Sequence, residues 1–113
     1  MEARVSVVIP VGPGHERHAA TARASVEWQT VAALPILSFD QEGRGAGWAR
    51  NRGIEQVETE LTLFLDADDY LITQSALGTM YKVWSEKGGF VYTDWTDDSG
   101  KLHTSMDNIC QNA

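Results

Sequence analysis

Four short apolar runs, Val5 to Ile9, Pro35 to Phe39, Leu61 to Leu65 and Phe90 to Trp95, recur along the chain with helix-patterned segments between them. A run that is apolar at successive positions, rather than at alternate ones, has to be covered on both faces of a sheet. Parallel neighbours in turn need a crossover of a dozen or more residues, usually a helix. The order β-α-β-α-β-α-β therefore predicts an α/β fold with a mostly parallel sheet of about four strands and helices on both faces. The first helix is expected over about Arg17 to Thr30, with Ala19, Ala22 and Val26 on one face and Ala20, Ala24 and Trp28 on the neighbouring one. A second is expected from about Trp48 to Val57. A third follows from Leu77, Met80, Tyr81 and Trp84 at i, i+3, i+4 and i+7, and Gly88-Gly89 stops it. Trp28, Trp84 and Trp95 are read as core residues, and Asp98-Ser99-Gly100-Lys101 as a turn.

In open parallel sheets ligands bind outside the carboxyl ends of the strands. Three of those ends carry Pro10-Val11-Gly12, Asp40 and Asp66-Ala67-Asp68-Asp69, so the chemistry converges on one edge. The third is the most informative, because Leu-Thr-Leu-Phe-Leu runs straight into three carboxylates within four positions. Such crowding is costly unless a cation is present. Asp66 and Asp68, at i and i+2 on a chain leaving a strand, can turn toward one point. Mg²⁺ or Mn²⁺ takes such oxygen ligands and completes its shell with water or substrate phosphate. The competing reading is a solvated strand exit in which Asp69 caps a following helix. Asp40 reads equally as a ligand contact or a turn residue. Gly43-x-Gly45-x-Gly47 reads as a loop, because Trp48 breaks the dinucleotide spacing and no Walker lysine follows. Trp48, beside that loop, is the tryptophan placed nearest the expected ligand edge.

With 113 residues the chain is expected to form a single domain, ordered over about 4–102 with a loose tail at 103–113. A net charge of -7 and a pI near 4.7 argue against a nucleic-acid surface, which needs clustered Lys and Arg. Cys110 is the sole cysteine, so no internal disulfide can form, and there is no Cys/His metal spacing. Val5 to Val11 is too short for a membrane span and is not a signal peptide. A cytoplasmic, and at most membrane-peripheral, location is the expectation.

Four segments together resemble the family 2 glycosyltransferases of the GT-A fold. Val5-Ser6-Val7-Val8-Ile9-Pro10-Val11 is similar to the family's first strand, and Ser25-Val26-Glu27-Trp28-Gln29-Thr30 to the Ser-Val-x-x-Gln-Thr that ends its first helix. Gly47-Trp48-Ala49-Arg50-Asn51-Arg52-Gly53-Ile54 resembles the Ala-Arg-Asn-x-Gly segment, and Phe64-Leu65-Asp66-Ala67-Asp68-Asp69 the metal-binding Asp-x-Asp signature. The resemblance spans about Val5 to Trp95, the nucleotide-sugar half of a typical member, and implies a Rossmann-like GT-A half-domain. It implies that Pro10 and Val11 lie along the nucleoside, that Asp40 hydrogen-bonds the base and that Arg50 lies near the diphosphate. Asp66 would meet the ribose or the metal, and Asp68 would ligate a Mn²⁺ or Mg²⁺ bridging the phosphates. The partners implied are a nucleotide-diphosphate sugar donor and a saccharide or glycolipid acceptor, with inversion at the anomeric carbon.

The chain departs from the family pattern in three places. Gly12-Pro13 stands where Tyr-Asn or a similar pair is usual, and Asp40-Gln41-Glu42-Gly43 where Asp-Asp-Gly-Ser is usual. The span from Asp40 to Ala49 is also short, which implies that a strand and a helix are missing there. The family's catalytic base belongs to the later half, so none of Asp94, Asp97 and Asp98 is assigned that task. Two other readings compete. An apolar strand ending in Asp-x-Asp also resembles haloacid-dehalogenase-like phosphatases, but Tyr70 stands where Thr or Val is wanted and the motif falls on the third strand; Leu71 likewise replaces the glycine of an EF-hand loop. The second is a non-catalytic nucleotide-sugar-binding module, or a remnant, whose exposed apolar surface is covered by a partner subunit or in a homodimer.

Overall fold

In the computed structural model, which describes residues 3–89 and 95–103, Val5–Val11 forms β1 and every one of its residues is buried. It lies at the centre of a three-stranded parallel sheet in the order β2-β1-β3, between β2 (Ala33–Phe39) and β3 (Leu61–Phe64). The register runs from Val5↔Ala33 to Val11↔Phe39 on one side and from Val5↔Leu61 to Val8↔Phe64 on the other. The side chains of β1 alternate between two helical layers. Val5, Val7, Ile9 and Val11 share a core with Ala19, Ala22 and Val26 of α1 (Glu16–Glu27) and with Leu77 of α3 (Ala76–Lys87). On the opposite face Val8 meets α2 (Ala46–Ile54) at Gly53, where a Cβ would run into Val8 Cγ1. The expected α/β architecture with helices on both faces is thus present.

Ser6 interrupts the apolar run without leaving an orphan, since its buried hydroxyl bonds Thr59 Oγ1 at 2.7 Å. Thr59 gives its own proton to the Leu61 carbonyl, so Ser6 is the donor. At the rim of the sheet Arg4 donates to the Tyr81 hydroxyl, which donates to Glu60.

The chain divides into two compact units, Met1–Tyr81 and Lys82–Ala113. In the second, β4 (Trp95–Thr96) pairs antiparallel with β5 (Leu102–His103). Asp97 Oδ1 accepts from the amides of Ser99 and Lys101 and from the Ser99 hydroxyl, closing the turn expected there. The parallel sheet therefore has three strands among the described residues, not four: Phe90 to Asp94, where most of the fourth was expected, lies outside them, and Trp95 belongs to the hairpin. Of the expected tail only His103 is described. Trp28 also departs from expectation. As the C-cap residue of α1 it has left the buried stripe and is 53% exposed. No helix among the described residues is long and apolar enough to cross a membrane.

Candidate functional site

β1 sends the chain into α1 on one face and β2 sends it into α2 on the other, so the two connecting loops part above the sheet edge. A cleft of about 400 Å³ opens between them, lined by Gly12, Pro13 and His15 on the first loop, Gly43, Gly45, Ala46, Ala49 and Arg50 on the second loop and helix, and Pro10, Asp40, Asp66, Ala67 and Asp68 at the strand ends. That volume falls within the roughly 300–1,000 Å³ of small-molecule sites. All three motif-bearing strand ends reach it.

Pro10 shapes the cleft through what it lacks. The ladder between β1 and β3 runs from the Leu61 amide to the Arg4 carbonyl and on to the Leu65 amide on the Val8 carbonyl. In a parallel ladder the next rung would need an N–H from residue 10, and proline has none. Pairing ends there, and the residues after Leu65 are released into a turn closed by the Asp69 amide on the Asp66 carbonyl, 3.0 Å. Ala67 faces inward and is 3% exposed, which leaves Asp66, Asp68 and Asp69 outward. Each offers a carboxylate oxygen within 4.8 Å of the others. On an ion of Mg²⁺ size, with ligands at about 2.1 Å, oxygens lie no more than about 4.2 Å apart. Exposed side chains close that difference by rotation, so the three fit a small divalent cation in both chemistry and spacing. Asp69 does not cap a helix, because α3 begins at Ala76.

Asp40 is 3% exposed. Its Oδ1 accepts from the Arg44 amide at 2.8 Å and its Oδ2 from the Gly45 amide at 2.7 Å. These bonds fold the loop back on itself, and the turn needs glycine where φ is positive, at Gly43 (73°) and Gly45 (110°). The amides favour the ionised form, so the Asp40 carboxyl titrates below the ordinary carboxylate range, the Arg44 amide being the largest cause. Of the two readings open for Asp40, the loop brace is the one whose bonds are seen. The glycine-rich segment is thus more than a spacer: it supplies one wall of the cleft. No strand or helix intervenes between β2 and α2, as the short span implied.

Arg50 projects from α2 into the cleft, and its Nη2 donates to Asp66 Oδ1 at 3.1 Å. Both side chains are partly exposed, so the pair itself contributes no more than about 1 kcal/mol. Its consequence is positional, since it holds a cation beside the carboxylate cluster. Val11 does not line the cleft. It is 1% exposed and belongs to the core below, where its carbonyl accepts from the Asp40 amide. Trp48 likewise stays out of the lining, and the guanidinium groups of Arg44 and Arg52 lie over its ring, 5.1 and 5.7 Å from the centroid. His15 also lines the cleft, four residues beyond the end of β1; its signal in the sequence was position alone, with no partner spacing to mark it.

A family model described as "Glycosyl transferase family 2" matches residues 29–109, well over half the chain, and takes in Asp40, Arg50 and Asp66 to Asp69. No curated protein and no solved structure matches the chain.

Proposed function

Because the chain belongs to glycosyl transferase family 2, we propose that its cleft binds a nucleoside-diphosphate sugar together with Mn²⁺ or Mg²⁺, for inverting transfer of the sugar to a saccharide or glycolipid acceptor. The observation that carries this reading is the exposed Asp66-Asp68-Asp69 cluster at the mouth of a cleft whose lining, among the described residues, offers one guanidinium, that of Arg50. A diphosphate entering that cleft meets Asp40, Asp66 and Asp68 against a single guanidinium. Like charges about 4 Å apart at a protein surface repel by about 4 kcal/mol before screening. The diphosphate therefore needs a counter-charge that the protein does not supply.

Asp66 and Asp68 would hold the ion, with Asp69 beside them. When bound, the ion supplies positive charge against the charge that grows on the leaving diphosphate. The residues of the chain do the rest. Pro10 and the Gly12–His15 loop wall the nucleoside side, while Asp40 keeps the facing loop folded. The first-turn amides of α2 lack helical partners and, with Arg50, face the phosphates. Val11 acts from beneath, as the packed floor under Asp40. The domain is taken as one nucleotide-sugar-binding module of the GT-A type, and none of its carboxylates is assigned as the base that deprotonates the acceptor.

Calorimetric titration with UDP, GDP, dTDP and CDP, with and without Mn²⁺, tests the reading, repeated on Asp68→Ala. Expected is metal-dependent binding of one nucleotide that disappears in the variant. Binding that is indifferent to the metal, or absent in the wild type under every condition, would refute a metal-held donor site.

A further inference from the structure

The last turn of α1 and the residues just past its C-cap line no part of the cleft, yet they make a dense set of polar contacts to the segment that follows the carboxylate cluster. Two residues beyond Asp69, the Leu71 amide donates to Ser25 Oγ at 3.0 Å, and the same hydroxyl donates to the Ala22 carbonyl at 2.7 Å. Gln29 uses its whole amide. Nε2 donates to the carbonyls of Ser25 (3.1 Å) and Thr73 (2.7 Å), and Oε1 accepts from the Leu77 amide at 2.9 Å, in the first turn of α3. Alongside, the amide and hydroxyl of Thr30 both reach the Gln74 carbonyl. Ser25 and Gln29 are 8% and 9% exposed, so their bonds are buried or part-buried, whereas the Thr30 hydroxyl bond is exposed.

Residues 71–75 have neither helix nor strand to order them, and an unpaired buried backbone group in such a segment is costly. The side chains of Ser25 and Gln29 stand in for a ladder. We infer that Ser25 and Gln29 are positioning residues for the carboxylate cluster: by fixing the return segment at Leu71, Thr73 and Leu77 they hold the Asp66–Asp69 turn in the shape that lets its carboxylates converge. The turn is then gripped on both sides. β1 holds it through Leu65 and the inward-facing Ala67, and α1 holds it through Leu71. Exposed carboxylates on a loose turn would have to be ordered when the ligand binds, at the expense of affinity. A clamped turn has met that cost on folding.

The inference rests on the metal-site reading above, and its test separates the two. Ser25→Ala removes the Leu71 bond while leaving Gln29 in place, and Ser25→Thr restores the hydroxyl. Three readouts on the full chain are a urea unfolding midpoint, Mn²⁺ affinity by calorimetry in the presence of the nucleoside diphosphate that the wild type binds, and amide exchange at positions 67–71 without metal. Expected for Ser25→Ala, still folded, is faster exchange across the turn and a Mn²⁺ affinity about 10- to 100-fold weaker, the range usual for lost outer supports of a metal site, with both recovered in Ser25→Thr. A folded Ser25→Ala chain with unchanged exchange and unchanged affinity would overturn the clamp. Failure of the wild type to take up Mn²⁺ would sink the metal reading instead, and exchange in the turn would then decide the clamp by itself.

Discussion

Gly53→Ala tests how α2 is seated, and through it the position of Arg50. Two effects oppose each other. Alanine is about 1 kcal/mol better than glycine inside a helix, so on propensity alone the variant gains stability. The new Cβ, however, would run into Val8 Cγ1. Val8 cannot easily yield: it is fully buried, it is β-branched with a restricted χ1, and its backbone is laddered on both sides. Overpacking of this kind costs about 1–3 kcal/mol. The expected net is therefore a loss of about 1 kcal/mol, against a total stability of about 5–15 kcal/mol for such a domain. Gly78→Ala is the internal control. It also sits inside a helix, but its Cβ would lie 3.5 Å from Val31 Cγ1, an ordinary contact, so there the propensity gain should survive. Urea unfolding followed by tryptophan fluorescence measures both. Relief of the Val8 clash by lifting α2 would also carry Ala49 and Arg50 away from Asp66, and nucleotide affinity would fall with stability. Equal stabilisation of the two variants would refute the argument, because it would mean that α2 does not bear on β1 through Gly53.

Asp40 should give the cleft an acid limit. Its carboxyl is lowered by the loop amides, so its contribution is complete above the unfolded value of about 3.9 and is lost as pH falls through the depressed folded value. Protection of the Arg44 and Gly45 amides, taken relative to the intrinsic exchange rate at each pH, should fall over that interval in the wild type and should be low throughout it in Asp40→Ala. Arg50→Met should separate metal from nucleotide binding: Mn²⁺ alone binds more tightly once Asp66 Oδ1 loses its competitor, whereas the nucleoside diphosphate with Mn²⁺ binds more weakly. Parallel calorimetric titrations show both, and a fall in the two together would indicate that Arg50 only holds Asp66 in place.

The parts of this fold that were legible in the sequence are those where one residue type admits one solution. Val5 to Val11 could be buried on both faces only as a central strand, and the three strand ends had to meet at one edge once the sheet was parallel. The carboxylates at 66, 68 and 69 announced their own cost. What escaped was set by tertiary geometry. Whether Asp40 faces a ligand or its own loop depends on glycines at positive φ three and five residues later, and the sequence permits both. Val11 follows Pro10 in the motif, but the period of a strand turns adjacent side chains to opposite faces, so one of the pair lines the cleft and the other goes to the core. Ser25 and Gln29 stood in a recognised motif with no assigned task, because their partners lie more than forty positions away.

The cleft's acidic residues are not equivalent, and the differences say where the proposed cation would matter most. The Asp40 charge is met by two amides of its own loop, and Asp66 already has Arg50 on one oxygen. Asp69 has a partner of its own. Asp68 lines the cleft, is exposed, and has no hydrogen bond or ion pair among the described residues. Solvent alone balances it, and the entry of a dianionic ligand would displace that solvent. Under the proposed metal-held reading the requirement for a counter-ion would therefore fall on Asp68, so its removal, rather than that of Asp66, would isolate metal binding from the arrangement of the protein's own charges. Loss of Asp66 would also free Arg50, adding a guanidinium for the phosphates while deleting a ligand, and the two effects would offset one another in any measured affinity.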